Sequence, residues 1–217
     1  MSKITALKSN KRTDKQLNMF LDGKFAISVD AEVAVKEGLK IGQEVSSDLL
    51  RELTEDVSLN RCLNTAYRFL SYRPRSEAEM TDRLHRRGFE DSQIEIVINK
   101  LKEQKFLDDT AFAQFWKENR ETFRPRSQRL TRLELRKKGV ADEIIKEVTD
   151  DSNDMDSAYN AALSKAKHLP KQDYETFRRR LGDYLKRRGF DYTVINQTVK
   201  KMWQEMKEPE QIRPECF

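Results

Sequence analysis

Glycine, proline and cysteine are scarce in this chain, and each scarcity excludes a class of protein. The 217 residues include 7 Gly and 5 Pro, so few positions interrupt a helix, and this favours long helices over a strand-rich fold. The two cysteines, Cys62 and Cys216, are distant from each other and unaccompanied, which indicates neither a disulfide framework nor a zinc site. The expected compartment is therefore the reducing cytoplasm.

Long apolar runs and phosphate-binding loops are also absent. No segment approaches the roughly 20 apolar residues that a membrane span requires, and residues 1–5 lack the apolar core of a signal peptide. There is no glycine-rich phosphate loop, and neither His85 nor His168 has a nucleophile or metal ligand at a suitable spacing. We therefore expect no membrane association, no cofactor, no metal and no enzymatic activity.

Charge of both signs is abundant, but its balance changes along the chain. There are 42 Lys and Arg against 37 Asp and Glu, a formal net charge of +5. Residues 58–107 carry a net +3 and residues 154–207 a net +5, whereas residues 1–57, 108–153 and 208–217 carry −1, 0 and −2. This distribution is compatible with an anionic partner that contacts two separate blocks of the chain.

Residues 1–57, which we name the N-terminal module, differ in pattern from the rest. Asp22-Gly23 lies between two apolar runs, which predicts a β-hairpin because the tight turn requires positive φ. The other expected elements are a third strand at residues 4–7, a helix at about 31–37 ended by Gly38, and a helix at about 47–55 capped by Ser46 or Ser47.

From residue 58 onward the chain repeats itself. A Leu-x-x-x-Gly motif with basic residues inside it recurs at offsets of 51 and 50 residues, and an Arg-Pro-Arg-Ser motif precedes it in the first two copies. A period of this length predicts a repeated supersecondary unit. The matching positions are Leu84, Gly88 and Ile94, then Leu135, Gly139 and Ile145, then Leu185, Gly189 and Ile195.

Each copy is predicted to form three helices. In the first copy, Pro74 ends one helix, Ser76 with Glu79 forms a capping box for the next, and Gly88 ends that second helix. The predicted fold is an all-α array of three tandem three-helix units, similar to helix-turn-helix motifs, behind a small N-terminal β-hairpin/α module. We name residues 58–107, 108–153 and 154–207 the first, second and third repeats, and residues 208–217 the tail. In the first repeat, the helices on either side of the capped one are expected at 59–72 and 91–104.

The run that follows the first repeat's helices is the most specific motif. Leu107-Asp-Asp109 is followed, after two residues, by Phe112-Ala113. Together with the other positions of the first repeat, this run resembles RecX, the family of bacterial proteins that modulate the RecA recombinase. Those other positions are Ala66-Tyr-Arg-Phe-Leu70, Arg75-Ser76, Leu84, Gly88-Phe89, Ile94 and Leu101.

The resemblance implies an all-helical array that lodges in the groove of the RecA filament on single-stranded DNA and restrains its ATPase and strand-exchange activities. It covers about residues 58–205, and the Asp22-Gly23 hairpin fits longer members. The third repeat departs from the pattern because it lacks an Arg-Pro-Arg-Ser equivalent, and the tail matches nothing in the family. The implied partners are the RecA filament and single-stranded DNA, with weak binding of duplex DNA, no membrane, and a monomeric regulator of DNA repair.

Clusters of Lys and Arg are the candidate site, because such side chains on helices can face phosphates or an acidic protein surface. The alternative is a solvated face whose charges pair within the chain. The candidates are Arg73, Arg75, Arg83, Arg86 and Arg87 in the first repeat, Arg124, Arg126, Arg129, Arg132, Arg136, Lys137 and Lys138 in the second, and Arg178, Arg179, Arg180, Lys186, Arg187 and Arg188 in the third.

Three side chains of the second repeat are expected to be exposed. Replacing Arg129, Arg132 and Arg136 by Ala should therefore weaken the activity and leave the fold intact.

Asp108-Asp109 is interpreted as a helix cap rather than a metal site.

A rival hypothesis is a helix-turn-helix protein that binds duplex DNA without a recombinase. Its third helices would offer few base-reading side chains, such as Asn196, Gln197 and Lys200. A further alternative is a protein scaffold with no salt-dependent affinity for nucleic acid.

Overall fold

The computed structural model describes residues 2–10, 13–151, 153–170 and 173–207. Over these residues the chain forms four strands and ten helices, and the strands all precede the second helix. The elements are β1 (Ser2–Asn10), β2 (Thr13–Leu21), β3 (Lys24–Asp30), α1 (Ala31–Lys36), β4 (Glu44–Val45), α2 (Ser47–Leu70), α3 (Glu77–His85), α4 (Asp91–Glu103), α5 (Asp109–Phe123), α6 (Gln128–Lys137), α7 (Asp142–Thr149), α8 (Asp154–Ala166), α9 (Tyr174–Arg187) and α10 (Tyr192–Lys207).

The N-terminal module is an antiparallel sheet in the order β3-β2-β1-β4. The predicted hairpin is confirmed: Asp22 and Gly23 join β2 to β3 and both have positive φ, 49° and 80°. Ile4, Met19 and Val29 are fully buried and form the centre of the core beneath α2. This core supplies the packing partner without which a small sheet is only marginally stable.

The prediction of two separate helices at 47–55 and 59–72 is wrong, because α2 runs unbroken from Ser47 to Leu70. The start is as expected, since the Ser46 hydroxyl accepts from the Leu49 amide at 3.1 Å. No Gly or Pro lies between the two predicted helices, and Leu53 and Val57 continue one apolar face against the sheet core. A single helix therefore serves both the N-terminal module and the first repeat.

The three-helix plan of the repeats is confirmed. The first repeat contains the C-terminal part of α2 with α3 and α4, the second contains α5 to α7, and the third contains α8 to α10. In each repeat a glycine with positive φ, between 77° and 88°, ends the middle helix, as predicted for Gly88, Gly139 and Gly189. The second and third repeats have their own buried cores, centred on Phe112 and Leu135 and on Phe177 and Leu185.

The chain divides into two compact units. The first contains the N-terminal module, α2, α4 and the part of α3 from Met80 onward, and the second contains residues 74–79 and everything from Lys105 through α10. The second unit therefore includes the start of α3 together with the second and third repeats.

Two buried serines connect successive helices of the second unit. Ser76 and Ser127 are the last residues of the Arg-Pro-Arg-Ser motifs, and each hydroxyl caps the helix that follows it. The Ser76 hydroxyl also donates to the Lys138 carbonyl at 2.5 Å, while the Ser127 amide donates to the Arg188 carbonyl at 3.0 Å. Each motif thus contacts the glycine turn of the next repeat. The third repeat has no repeat after it, and it lacks the motif.

Two of the glycine turns lie close against the start of the helix that each serine caps. A Cβ atom on Gly139 would overlap the Ala78 Cβ, and one on Gly189 would lie 2.6 Å from the Ser127 hydroxyl oxygen. A Cβ on Gly88 would meet nothing within 4 Å. Glycine is therefore required by backbone conformation in all three repeats, but by close contact only in the second and third.

Candidate functional site

The basic cluster of the second repeat surrounds one half-buried carboxylate. Glu134 on α6 accepts from Arg120 Nε at 2.7 Å, from Trp116 Nε1 at 2.9 Å and from Arg126. Its side chain is 15% exposed, so these charge-assisted bonds are partly shielded from water. The Arg120 guanidinium also lies 4.5 Å from the centre of the Trp116 ring. Arg126, a candidate from the sequence, is therefore engaged inside the protein.

Three more candidates of the second repeat have partners in the chain. Lys138 forms an ion pair with Glu79, and Arg136 pairs with Asp142 at 2.6 Å. Arg132 is half-buried and donates to the Thr149 hydroxyl at 2.7 Å. The expectation that Arg132 is exposed is therefore wrong, because this side chain lies across α7 to reach a buried hydroxyl. The exposed candidates of this repeat are Arg124, Arg129, Arg136 and Lys137.

The cations of the first repeat lie on α3 and in the turn after it. Arg83 and Arg87 lie over the Phe69 ring at 4.8 and 5.7 Å from its centre, and Arg86 pairs with Asp82 at 2.5 Å. All three side chains are exposed, so these contacts leave faces of the guanidinium groups accessible to a partner. Arg73 and Arg75 are half-buried in the segment that precedes α3.

The third repeat has the largest set of accessible cations. The side chains of Arg179, Arg180, Lys186 and Arg187 are exposed on α9 and make no hydrogen bond or ion pair with the residues that the structure describes. Arg178 is exposed and bonds Glu175 at 3.1 Å. Arg188 differs, because it donates to the Pro125 carbonyl at 2.8 Å and covers the Tyr184 ring. Five of the six candidates here can meet an anionic partner.

A surface groove of about 500 Å³ lies between α9 and α10 in the same repeat. Its lining includes Arg178, Arg179 and Lys186 from α9 and Tyr192 and Asn196 from α10. Tyr192 is 75% exposed, so its ring is accessible to a ligand. Tyr192 was not among the residues predicted from the sequence, although it takes the position of Asp91 and Asp142 when the three repeats are aligned on their turn glycines.

The remaining polar candidates have structural roles. Asp108 caps α5 by accepting from the Thr110 and Ala111 amides, as predicted, and Asp109 accepts from the Glu77 amide at 2.8 Å. Cys62 is buried in α2, and this burial raises the pKa of its thiol to about 11, so it remains protonated and unreactive at neutral pH.

In the described part of the chain, His, Cys, Asp and Glu side chains do not come together in groups of three or more that could hold a metal ion. No helix there combines the length and the apolar character needed to cross a membrane.

Four family models match this chain in sequence order. The model of the regulatory protein RecX N-terminal domain matches residues 2–46. The models of the first, second and third RecX three-helix domains match residues 62–101, 108–148 and 152–199. The matches follow the N-terminal module and the three repeats.

Curated relatives extend the similarity over nearly the whole chain. A regulatory protein RecX from Clostridium beijerinckii is 30% identical over 207 residues, which cover 93% of this chain and 96% of the relative. The regulatory protein RecX of Bacillus velezensis is 33% identical over 202 residues, which cover 91% of this chain and 76% of the relative.

Solved structures show the same fold. A crystal structure of regulatory protein RecX matches with a TM-score of 0.65 at 21% identity and covers 93% of this chain and 100% of that chain. The crystal structure of RecX from Lactobacillus salivarius matches with a TM-score of 0.57 at 21% identity, over 68% of this chain and 97% of that chain. The predicted helical repeat array with an N-terminal sheet is confirmed.

Proposed function

This chain belongs to the RecX family of regulatory proteins, and we propose that it restrains the RecA recombinase by binding in the groove of the RecA filament on single-stranded DNA. The observation that carries the proposal is the complete set of RecX modules, in order and with matching folds. In this role the protein acts as a monomer in the cytoplasm, as part of the regulation of DNA repair.

The mechanism is steric and electrostatic. Cations on α9, above all Arg180 and Arg187, are exposed and uncompensated, so they can contact DNA phosphates or acidic recombinase surface. The serine–glycine contacts hold successive helices of the second unit together, which lets the repeats present these cations in a defined arrangement. A bound regulator of this kind opposes the filament rearrangements needed for ATP turnover and strand exchange and performs no chemistry.

The exposure of the candidate cations indicates which of them belong to the contact surface. Arg126, Arg132 and Lys138 are committed to partners in the chain, so releasing them to a ligand costs the bonds they already make. The exposed cations of the first and third repeats carry no such cost or a smaller one. We therefore assign the main contact to the third repeat, with Arg83, Arg86 and Arg87 as a second contact.

The test measures RecA ATPase and strand exchange on single-stranded DNA at two salt concentrations, with increasing amounts of this protein. Both activities should fall, and the triple variant Arg179→Ala, Arg180→Ala, Arg187→Ala should bind filaments more weakly. If all three cations contact phosphates, the slope of log affinity against log salt should drop by about two. Unchanged ATPase and strand exchange at stoichiometric excess of the wild type would contradict the proposal.

A matched control removes three exposed cations from the N-terminal module and the start of α2. Lys36, Lys40 and Arg51 are exposed and were not candidates. The triple variant Lys36→Ala, Lys40→Ala, Arg51→Ala changes net charge by the same amount and should leave filament binding and its salt slope close to those of the wild type. Equal weakening by both triple variants would show a response to net charge alone.

The duplex-binding hypothesis is separated by a gel shift without recombinase. Its base-reading residues would lie on α10, where Gln197 and Lys200 are exposed and Asn196 is half-buried in the groove. Sequence-selective binding to duplex DNA in the presence of competitor would replace the filament proposal. Weak binding without sequence preference agrees with it, since phosphate contacts carry no sequence information.

A further inference from the structure

The groove between α9 and α10 has no counterpart of the same composition in the other two repeats. Matching positions in the three repeats are counted from the glycine that ends each middle helix. Three residues before it stand His85, Arg136 and Lys186, and three residues after it stand Asp91, Asp142 and Tyr192. The first repeat pairs its two side chains at 3.4 Å and the second pairs them at 2.6 Å.

The third repeat replaces the acid of this pair by a tyrosine. Lys186 is left without an acidic partner at the position where the other repeats supply one, and an exposed ring stands beside it in the groove. A cation and an exposed aromatic ring lining one groove are what a nucleotide needs, because the cation meets a phosphate and the ring stacks on a base.

The floor of the groove is also more open in the third repeat than at the matching place in the second. Seven residues before the turn glycine stand Thr81, Arg132 and Gly182. In the second repeat, Arg132 crosses to Thr149 and fills the space between the middle and third helices. In the third repeat, Gly182 has no side chain, and the position of Thr149 is taken by Val199, so the floor is open and apolar.

The charges around the groove favour an anionic ligand. Arg178, Arg179 and Lys186 line it together with the acids Glu175 and Asp183. Glu175 is bonded to Arg178 at 3.1 Å, so Asp183 is the one lining acid without an ion pair among the described residues. Arg179 also interacts electrostatically with Asp173, the residue that caps the start of α9. Arg180 and Arg187 on the same helix add further positive charge nearby.

We propose that the groove between α9 and α10 binds single-stranded DNA, with one base stacked on Tyr192 and the flanking phosphates on Arg179 and Lys186. This deepens the proposed function by naming the part of the chain that contacts the strand, and it rests on that function. An acidic peptide would satisfy the two cations but would leave the exposed ring and the apolar floor without a partner. The half-buried Asn196 amide, which carries both donors and an acceptor, can form hydrogen bonds to a base edge.

The test uses purified protein without recombinase and measures fluorescence anisotropy of a short labelled oligothymidine. Tyr192→Ala should weaken binding by about five- to a hundredfold, the range expected for loss of one base–aromatic stack. Tyr192→Phe keeps the ring and should bind within about twofold of the wild type. Gly182→Leu fills the floor of the groove without adding charge and should weaken binding as well.

Two controls distinguish base stacking in the groove from a general loss of an aromatic side chain or of anion binding. Tyr72 in the first repeat is 71% exposed, so Tyr72→Ala removes an equally accessible ring outside the groove and should leave binding unchanged. Labelled polyglutamate is the second probe, and its binding should not depend on Tyr192. If Tyr192→Ala binds oligothymidine as Tyr72→Ala does, or if Tyr192→Ala weakens both probes equally, the proposal is wrong.

The outcome is independent of the recombinase assay. If Tyr192→Ala binds oligothymidine like the wild type and the wild type still restrains RecA, the groove assignment fails and the proposed function stands. If oligothymidine binding depends on Tyr192 but RecA activities are unaffected by the wild type, the groove stands and the proposed function fails.

Discussion

The second and third repeats share one three-helix plan but use their positive charge in different ways. In the second repeat, Arg126 and Lys138 are bonded to Glu134 and Glu79 within the protein. In the third repeat, Arg180 and Arg187 are exposed without such partners in the described residues. The comparison shows that a run of basic residues identifies a surface only after the acids within reach of it are known.

Two substitutions between the repeats account for much of the difference. Glu134 and Tyr184 occupy matching positions, five residues before the turn glycine, and so do Asp142 and Tyr192, three residues after it. The second repeat thus has two acids where the third has two tyrosines. Tyr184 is covered by the guanidinium of Arg188, whereas Tyr192 remains exposed. Ion pairs in one copy are replaced by aromatic surface in the other.

Removing the central acid of the second repeat should give the largest effect. Glu134→Gln keeps the shape of the side chain but leaves Arg120 and Arg126 without a counter-charge in a half-buried place. We expect the free energy of unfolding to fall by about 2–3 kcal/mol, measured by urea denaturation. Oligothymidine affinity should not fall, because this cluster is not in the proposed groove.

The control for that prediction is an exposed pair of the same repeat. Arg136 and Asp142 are both more than half exposed, so Asp142→Asn should cost less than about 1 kcal/mol. Similar losses for Glu134→Gln and Asp142→Asn would contradict the view that Glu134 organises the second repeat.

The repeats, the turn glycines and the helix caps could be predicted from sequence because each is a local signal. Ser76 and Glu79 stand three residues apart, and Gly88 needs only its own backbone conformation. The contact of Ser76 with Lys138 joins residues 62 positions apart, and no local pattern reports it. The internal partners of Arg126 and Lys138 could not be predicted for the same reason, since they depend on how whole helices pack.

A pair of arginine substitutions separates stability from binding. Arg132→Ala removes the bond to the buried Thr149 hydroxyl and should cost about 1 kcal/mol of unfolding free energy, with filament binding unchanged. Arg180→Ala removes an exposed side chain and should change stability by less than about 0.5 kcal/mol. It should nevertheless weaken filament binding at low salt. Urea unfolding measures the stability of both variants, and RecA ATPase measures their binding to filaments. If Arg132→Ala weakens filament binding while Arg180→Ala lowers the free energy of unfolding, the two repeats do not use their cations in the way described.

A small stabilising effect is expected at the floor of the groove. Gly182 lies inside α9, and a Cβ placed there would be 3.6 Å from Ile195 Cγ2, an ordinary contact. Gly182→Ala should therefore raise the free energy of unfolding by about 0.5–1 kcal/mol, because alanine favours the helix and restricts the unfolded chain. A single methyl group leaves most of the groove open, so oligothymidine affinity should stay within about twofold.

Gly189→Ala is the matched control and should destabilise, since its φ is +88° and its Cβ would crowd the Ser127 hydroxyl. If Gly182→Ala destabilises as Gly189→Ala does, α9 tolerates no side chain at this point, and the open floor reflects packing instead of a place for a ligand.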